Sequence, residues 1–217
     1  MMALRTLALA VVLPALAASA ALAQDQNREP IPRFVADAHV AFPKFPDDPS
    51  IATELAVTEE NLPGRGLGLD VGMHVYPARM GKVTLGLGGQ LLIGRASSTL
   101  DPTTEGGPAG PTVKGYFTAL SPEVSLNFGT GEGWSYVSGG IGWSSLTIEN
   151  QARPVADADG LLSTINYGGG ARWFAKPHLA FSFDLRFYKF GAQEASVGRP
   201  AYPGARMLVL SAGISVK

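Results

Sequence analysis

The sequence has no cysteine, few charged residues and no excess of either charge. Its 217 residues include 17 basic and 18 acidic side chains, and charged residues make up only 16% of the chain. Without cysteine there is no disulfide framework and no cysteine-ligated metal site. The charge balance argues against a nucleic-acid-binding protein, which usually carries a basic excess. The apolar content of 46% excludes a disordered chain.

Only one segment is apolar over most of its length, and it lies at the N-terminus. Residues 1–23 begin with one basic side chain, Arg5, and end in Ala21-Leu22-Ala23, a small-residue pattern that signal peptidase accepts. The sequence therefore predicts a cleaved signal peptide over 1–23, a flexible leader over 24–32 and one domain over 33–217. No later run reaches the ~18 apolar residues of a transmembrane helix. We expect an exported protein without a helical anchor.

The rest of the sequence alternates between apolar and polar residues with a period of two, which is the spacing of a β-strand. In residues 67–76, for example, every second side chain is apolar: Leu67, Leu69, Val71, Met73 and Val75. No segment predicts a helix. Eight strands are predicted, at 34–42, 67–76, 83–93, 116–128, 134–148, 164–174, 179–188 and 207–216.

Short and long connections alternate along these strands. The short ones, 79–82, 129–133 and 175–178, are four or five residues long, and the long ones, 43–66, 101–115, 150–163 and 191–205, are 14 to 24. If each connection joins neighbouring antiparallel strands, all short turns lie at one end and all long loops at the other. Eight such strands close into a small barrel without exposed edges. The predicted fold is therefore an all-β, eight-stranded antiparallel up-and-down barrel.

The composition of the two strand faces favours a transmembrane barrel. The polar face is mostly Gly, Ser, Thr and Asn, which suits a narrow interior better than a solvated surface. The apolar face is aliphatic, with aromatic residues near the strand ends that are expected at the membrane interfaces: Phe34, Phe42, Phe128, Trp134, Trp143, Trp173 and Phe187. Only a closed barrel satisfies the backbone of a sheet in lipid. The alternative is a secreted, soluble lipocalin-like barrel that binds a small apolar ligand inside.

The segment from Asn166 to Phe190, NYGGGARWFAKPHLAFSFDLRFYKF, resembles the late hairpin of the OmpA-like and OmpX-like eight-stranded outer-membrane barrels. The resemblance implies a Gram-negative cell envelope, with the N-terminus and short turns in the periplasm and the long loops outside. It also implies contact with outer-membrane lipid and with the barrel-assembly machinery. Ser211, Gly213 and Val216 fit the usual C-terminal assembly signal, and Lys217 ends the chain one residue before its aromatic position.

The alternation places a set of polar side chains in the lumen: Asp37, His39, Asp70, His74, Gln90, Glu123, Arg172, Asp184 and Arg186. Charges in a narrow interior are costly unless they are paired. We expect the acids to pair with the two arginines as a structural plug. The alternative is a small porin-like pore or ligand pocket, although a lumen of eight strands is usually filled by side chains.

No catalytic, cofactor-binding or metal-binding residues are predicted. His39 and His74 face inward, and no serine lies in a G-x-S-x-G elbow. A lipid-modifying enzyme of the outer membrane is therefore the third hypothesis, after the soluble barrel. The preferred function is structural or surface-interacting, with any extracellular ligand bound by the loops 43–66, 101–115, 150–163 and 191–205.

Overall fold

The computed structural model describes residues 29–100, 110–152, 161–191 and 204–217. The predicted signal peptide, residues 24–28 of the leader and the loop segments 101–109, 153–160 and 192–203 lie outside the described residues. The described part contains eight strands: β1 (Phe34–Lys44), β2 (Leu67–Met80), β3 (Val83–Thr99), β4 (Thr112–Thr130), β5 (Gly133–Asn150), β6 (Leu162–Lys176), β7 (Leu179–Phe190) and β8 (Arg206–Val216).

The strands form one closed barrel in sequence order. Each strand pairs antiparallel with the next, and β8 pairs with β1 to close the sheet. The predicted eight-stranded antiparallel up-and-down barrel is therefore confirmed. Closure gives every strand a neighbour on both sides, so the sheet has no edge strand.

The short connections are tighter than the sequence pattern predicts. The strand pairing continues to Met80 and Val83 at the first turn, to Thr130 and Gly133 at the second, and to Lys176 and Leu179 at the third. Each turn therefore has two residues. Gly81 in the first turn has φ +62°, a left-handed conformation that glycine adopts without a steric penalty.

The opposite end of the barrel has an uneven rim. Strands β3, β4 and β5 have 17, 19 and 18 residues, whereas β1 and β8 have 11 each. The three long strands therefore form a wall that rises above their neighbours. Beside this wall, β2 begins only at Leu67, which pairs with Arg95 of β3.

The expectation that no helix is present is wrong for the first long loop. Helix α1 (Pro49–Glu54) and a 3-10 turn (Glu59–Asn61) lie between β1 and β2. Six residues are too few for a helical period, but Asp48 is the N-cap. Its carboxylate accepts hydrogen bonds from the Ser50 hydroxyl and the Ser50 backbone N–H, which lower the pKa of Asp48. No helix in the described part of the chain is long and apolar enough to cross a membrane.

Helix α1 covers the loop end of the barrel. Its buried face, Ile51, Ala52 and Leu55, packs with Leu62 against Val113 on the inner face of β4. The Asn150 side-chain amide of β5 donates a hydrogen bond of 3.0 Å to the Leu55 carbonyl. The first loop is thus fixed to the high wall formed by β3, β4 and β5.

The described end of the leader also contacts the barrel. Ile31 is buried and packs with Val35, Tyr76 and Trp134 at the turn end. The Gly131 amide donates a hydrogen bond of 2.7 Å to the Glu29 carbonyl. Residues 29–32 are therefore part of the folded domain, in contrast to the flexible leader expected over 24–32.

Inward-facing glycines make room for large interior side chains. A Cβ at Gly170 would lie 2.7 Å from the Tyr136 hydroxyl oxygen and also against the backbone of Phe183. A Cβ at the inward Gly72, which pairs in register with Asp37, would approach nothing closer than 3.6 Å. The two positions therefore offer a matched pair, one crowded and one open.

Changing Gly170 to alanine is expected to lower the free energy of unfolding by roughly 1–3 kcal/mol, the usual cost of overpacking a core. Gly72→Ala should stay within about 1 kcal/mol of the native protein, because the added methyl group makes only ordinary contacts. Urea titration of the purified protein in detergent micelles measures both. Equal losses in the two variants would contradict a steric role for Gly170.

Candidate functional site

The interior of the barrel holds the polar residues that the alternation predicts. All nine members of the predicted lumen cluster are buried, with exposed fractions from 2% to 8%: Asp37, His39, Asp70, His74, Gln90, Glu123, Arg172, Asp184 and Arg186. They come from six strands and are brought together only by closure of the sheet. Their ionic contacts form two networks, one around each arginine.

The first network joins β1 to β6. The Arg172 guanidinium donates two hydrogen bonds to the Asp37 carboxylate, from Nε at 2.9 Å and from Nη2 at 2.6 Å. The Ser215 hydroxyl donates to the same carboxylate. The guanidinium also lies 4.3 Å from the ring centroid of Tyr136. Such a two-point pairing is the strong form of an arginine–carboxylate contact.

The second network joins β4, β5, β6 and β7. Arg186 donates to Glu123 at 2.7 Å and to Asp184 at 3.1 and 3.0 Å. It also donates to the Asn166 side-chain oxygen and the Ser138 hydroxyl, both at 2.8 Å. The five contacts use most of the guanidinium donors. Burial of Arg186 is therefore compensated by hydrogen bonds on several sides.

His74 lies between the two networks, and His39 lies beside the one remaining acid, Asp70. His74 lies 3.7 Å from Asp37 and 3.9 Å from Glu123, distances too long for direct hydrogen bonds. Asp70 accepts hydrogen bonds from Gln90 and Ser211. Six charged side chains, two arginines and four acids, are therefore held in a single layer across the lumen.

Apolar layers lie on both sides of the charged layer, which the sequence pattern did not predict. Towards the loops, Phe117, Tyr188 and Phe190 form an aromatic group with ring centroids 5.3 and 5.5 Å apart, packed with Leu92 and Met207. Towards the turns, Val35, Tyr76 and Trp134 pack with Ile31. The described interior is therefore filled by side chains at three levels.

The outer face carries the aliphatic and aromatic residues. Every strand exposes large hydrophobic side chains outward, such as Val40, Leu69, Ile141 and Leu210, with exposed fractions near or above one half. On β4 the outward positions from Tyr116 to Phe128 are uncharged. Two hollows of about 690 and 700 Å³ lie on this face over glycines and other small residues. In the described strands, charged side chains lie on the outer face only near the loop end and the turn end of the barrel.

Six of the seven predicted interface aromatics lie on the outer face. Phe34, Phe42, Trp143 and Trp173 are exposed, and Phe128 and Phe187 are half-buried among outward neighbours. Trp134 is a correction, because it is only 3% exposed and lies inside the barrel. Its ring packs against Tyr76 and Phe174, and Arg172 lies 5.7 Å from its centroid. Trp134 therefore belongs to the interior layer at the turn end.

One contact in the lumen brings together residue types used in catalysis. His39 Nε2 lies 2.7 Å from the Ser182 hydroxyl oxygen, and His39 Nδ1 lies 3.7 Å from Asp70. The second distance is too long to orient the imidazole. Ser182 is 4% exposed and lies between the two apolar layers. The arrangement supplies a buried hydrogen bond between β1 and β7.

The described residues contain no group of three or more His, Asp or Glu side chains arranged to hold a metal ion. The lumen acids are bound instead by arginines, a glutamine and serines. The arginine–carboxylate contacts therefore link strands that are far apart in the sequence.

No family model and no curated protein matches the chain. Among solved structures, Neisserial surface protein A aligns with 15% identity over 86% of this chain and 97% of that one, at a TM-score of 0.47. The outer membrane protein OprG from Pseudomonas aeruginosa aligns with 10% identity over 88% and 98%, at 0.46. The Yersinia pestis outer membrane protein Ail aligns with 11% identity over 85% and 99%, at 0.39. The closed-barrel topology of this chain is established by the pairing of its own strands.

Proposed function

We propose that the protein is an outer-membrane β-barrel with a structural or surface-interaction role and a lumen closed by side chains. The observation that carries the proposal is the distribution of charge: charged residues are buried inside the barrel, and a charge-free apolar surface surrounds them. A water-soluble barrel has the opposite arrangement. Closure gives every strand a hydrogen-bonded neighbour on both sides, as a sheet in lipid requires.

The dimensions of the apolar surface support this proposal. Phe128 and Tyr116 are twelve residues apart on β4. At ~3.4 Å per residue and a tilt of ~45°, that span rises roughly 29 Å. The apolar band of outer-membrane barrels is ~25 Å tall. The outer face of the barrel therefore matches the thickness that it has to cross.

The proposed orientation follows from the leader and the turns. The signal peptide predicted over 1–23 would deliver the N-terminus to the periplasm, on the same side as the two-residue turns. The four long loops would then face the exterior, and we propose that any extracellular ligand binds there. The first loop offers two exposed acidic residues for such a role, Glu59 and Glu60.

The filled interior argues against the alternative functions. A lipocalin-like ligand needs an apolar cavity, but the described lumen carries a charged layer. A porin-like channel needs an open path, but α1, the two apolar layers and the charged layer stand across it. The His39–Ser182 contact is enclosed, so we propose that the protein has no enzymatic activity.

The test is the electrophoretic mobility of the protein from isolated outer membranes, loaded in SDS with and without boiling. We expect a band that needs detergent for extraction and shifts on boiling, because a closed barrel resists SDS until it is heated. In planar bilayers the same material should show no discrete conductance steps. A detergent-free soluble product without a shift would contradict the membrane assignment, and regular conductance steps would contradict the closed lumen.

A further inference from the structure

The outer face carries a groove at the loop end, where the short start of β2 adjoins the high wall. The groove is about 640 Å³ in volume and spans four strands, β1 to β4. Its apolar floor is formed by Phe42, Leu67 and Tyr116, which are 51%, 52% and 45% exposed. These residues continue the apolar surface of the barrel below them. The groove therefore opens at the upper edge of the proposed membrane-embedded band.

Three basic side chains line the same groove: Arg65, Arg95 and Lys114. Arg95 and Lys114 point outward from β3 and β4, and Arg65 precedes β2 and bridges to Lys44 through the backbone. No acidic residue lines the groove. Within the described residues, none of the three basic groups has a carboxylate within ion-pair distance, whereas Lys44 is paired with Asp47 at 3.4 Å.

We propose that this groove binds the phosphate-bearing headgroup of an anionic membrane lipid in the leaflet at the loop end. Three cations and no carboxylate line the groove, and Glu149, the register partner of Lys114 on β5, lies outside it. Guanidinium groups bind phosphate oxygens at two points. The apolar floor fits the first segments of the acyl chains, which then continue down the barrel surface. A soluble phosphate compound would make no use of that floor.

The groove distinguishes its three basic residues from the other basic residues at the loop end of the barrel. Lys189 and Arg206 also face outward at this end, where they are paired in register between β7 and β8. They do not line the groove. A general attraction between a basic rim and an anionic membrane would involve all of these residues equally. A bound headgroup depends on Arg65, Arg95 and Lys114 more than on the other two.

The test is a titration of the full-length folded protein in neutral detergent micelles, followed by native mass spectrometry. The probes are phosphatidic acid, phosphatidylcholine, glycerol phosphate and inorganic phosphate. We expect phosphatidic acid to bind best, glycerol phosphate and inorganic phosphate to compete poorly, and phosphatidylcholine to bind weakly. Equal binding of glycerol phosphate and phosphatidic acid would overturn the assignment to a lipid.

The variants distinguish the groove from the rim. Arg95→Gln should raise the dissociation constant for phosphatidic acid roughly fivefold, and the combined change of Arg65, Arg95 and Lys114 to Gln about a hundredfold. The matched controls Lys189→Gln and Arg206→Gln should change it less than twofold. Similar losses in the controls, or unchanged binding in the triple variant, would overturn the proposal.

The lipid site rests on the proposed membrane function, but separate measurements test the membrane assignment and the lipid site. The heat-dependent gel shift and insertion into phosphatidylcholine vesicles are measured for every variant before titration. A triple variant that inserts and shifts like the native protein, yet loses phosphatidic acid, supports the groove. Native protein that fails to insert would contradict the membrane assignment, while normal insertion without lipid preference would contradict the groove alone.

Discussion

Replacement of Arg186 by methionine is expected to cost about 3–5 kcal/mol of stability, the loss that follows when one partner of a buried ion pair is removed. Arg186 contacts Glu123 and Asp184, which are 4% and 2% exposed. The variant leaves both buried carboxylates without their cation. The midpoint of urea unfolding in micelles, followed by the folded band on unboiled gels, measures the loss.

Two further variants identify the cause of that loss. Arg206→Met removes an arginine from the outer face of the adjacent strand and should change stability by less than about 0.5 kcal/mol. Combining Arg186→Met with Glu123→Gln and Asp184→Asn removes the buried charges together, so we expect most of the stability to return. A single variant as stable as the native protein, with new conductance in bilayers, would instead indicate a hydrated pore.

The period-two pattern was sufficient to predict which side chains enter the lumen. Asp37, Asp70 and Glu123 stand at alternating positions whose neighbours are apolar, so their orientation follows from strand geometry alone. Their partners could not be predicted in the same way. Asp37 and Arg172 are 135 residues apart, and their contact depends on the register and shear with which the barrel closes. Neither the register nor the shear can be inferred from the sequence of a single strand.

The error at Trp134 shows the limit of reasoning from residue type. Trp134 and Trp143 are nine positions apart on β5, an odd separation that places them on opposite faces of one strand. An aromatic residue near a strand end is typical of a membrane interface, but such a residue can equally well fill the interior of the barrel. At Trp134 the inward position next to Arg172 allows a cation–π contact.

The short helix and the apolar layers escaped prediction for a related reason. Helix α1 has only six residues, and its burial comes from contact with Val113 and Ile148 on the high wall rather than from its own periodicity. The wall itself extends beyond the predicted ends of β3, β4 and β5. Weak alternation in residues such as Ser97 and Thr99 gives little signal, although these residues pair in regular register with β4.

The change Ile141→Arg is expected to prevent or strongly weaken insertion of the barrel into lipid. Ile141 is 68% exposed and faces outward from β5, level with the middle of the uncharged span on β4. An arginine at the midplane of a membrane barrel costs roughly 2–4 kcal/mol, and close to the interface only about 0–1. Folding yield in phosphatidylcholine vesicles, read from the unboiled gel band, measures this cost.

The matched control places the same charge on the same strand and face. Thr147 lies six residues nearer the loop end than Ile141, close to the outward Glu149, so Thr147→Arg should insert with a yield near that of the native protein. The contrast between the two variants depends on depth in a bilayer and not on the sheet itself, because both side chains leave the strand pairing unchanged. A water-soluble barrel would tolerate arginine equally at both positions, since either side chain would be solvated. Equal folding of the two variants without lipid or detergent would therefore contradict the membrane assignment, because it would show that the apolar outer face does not need to contact lipid.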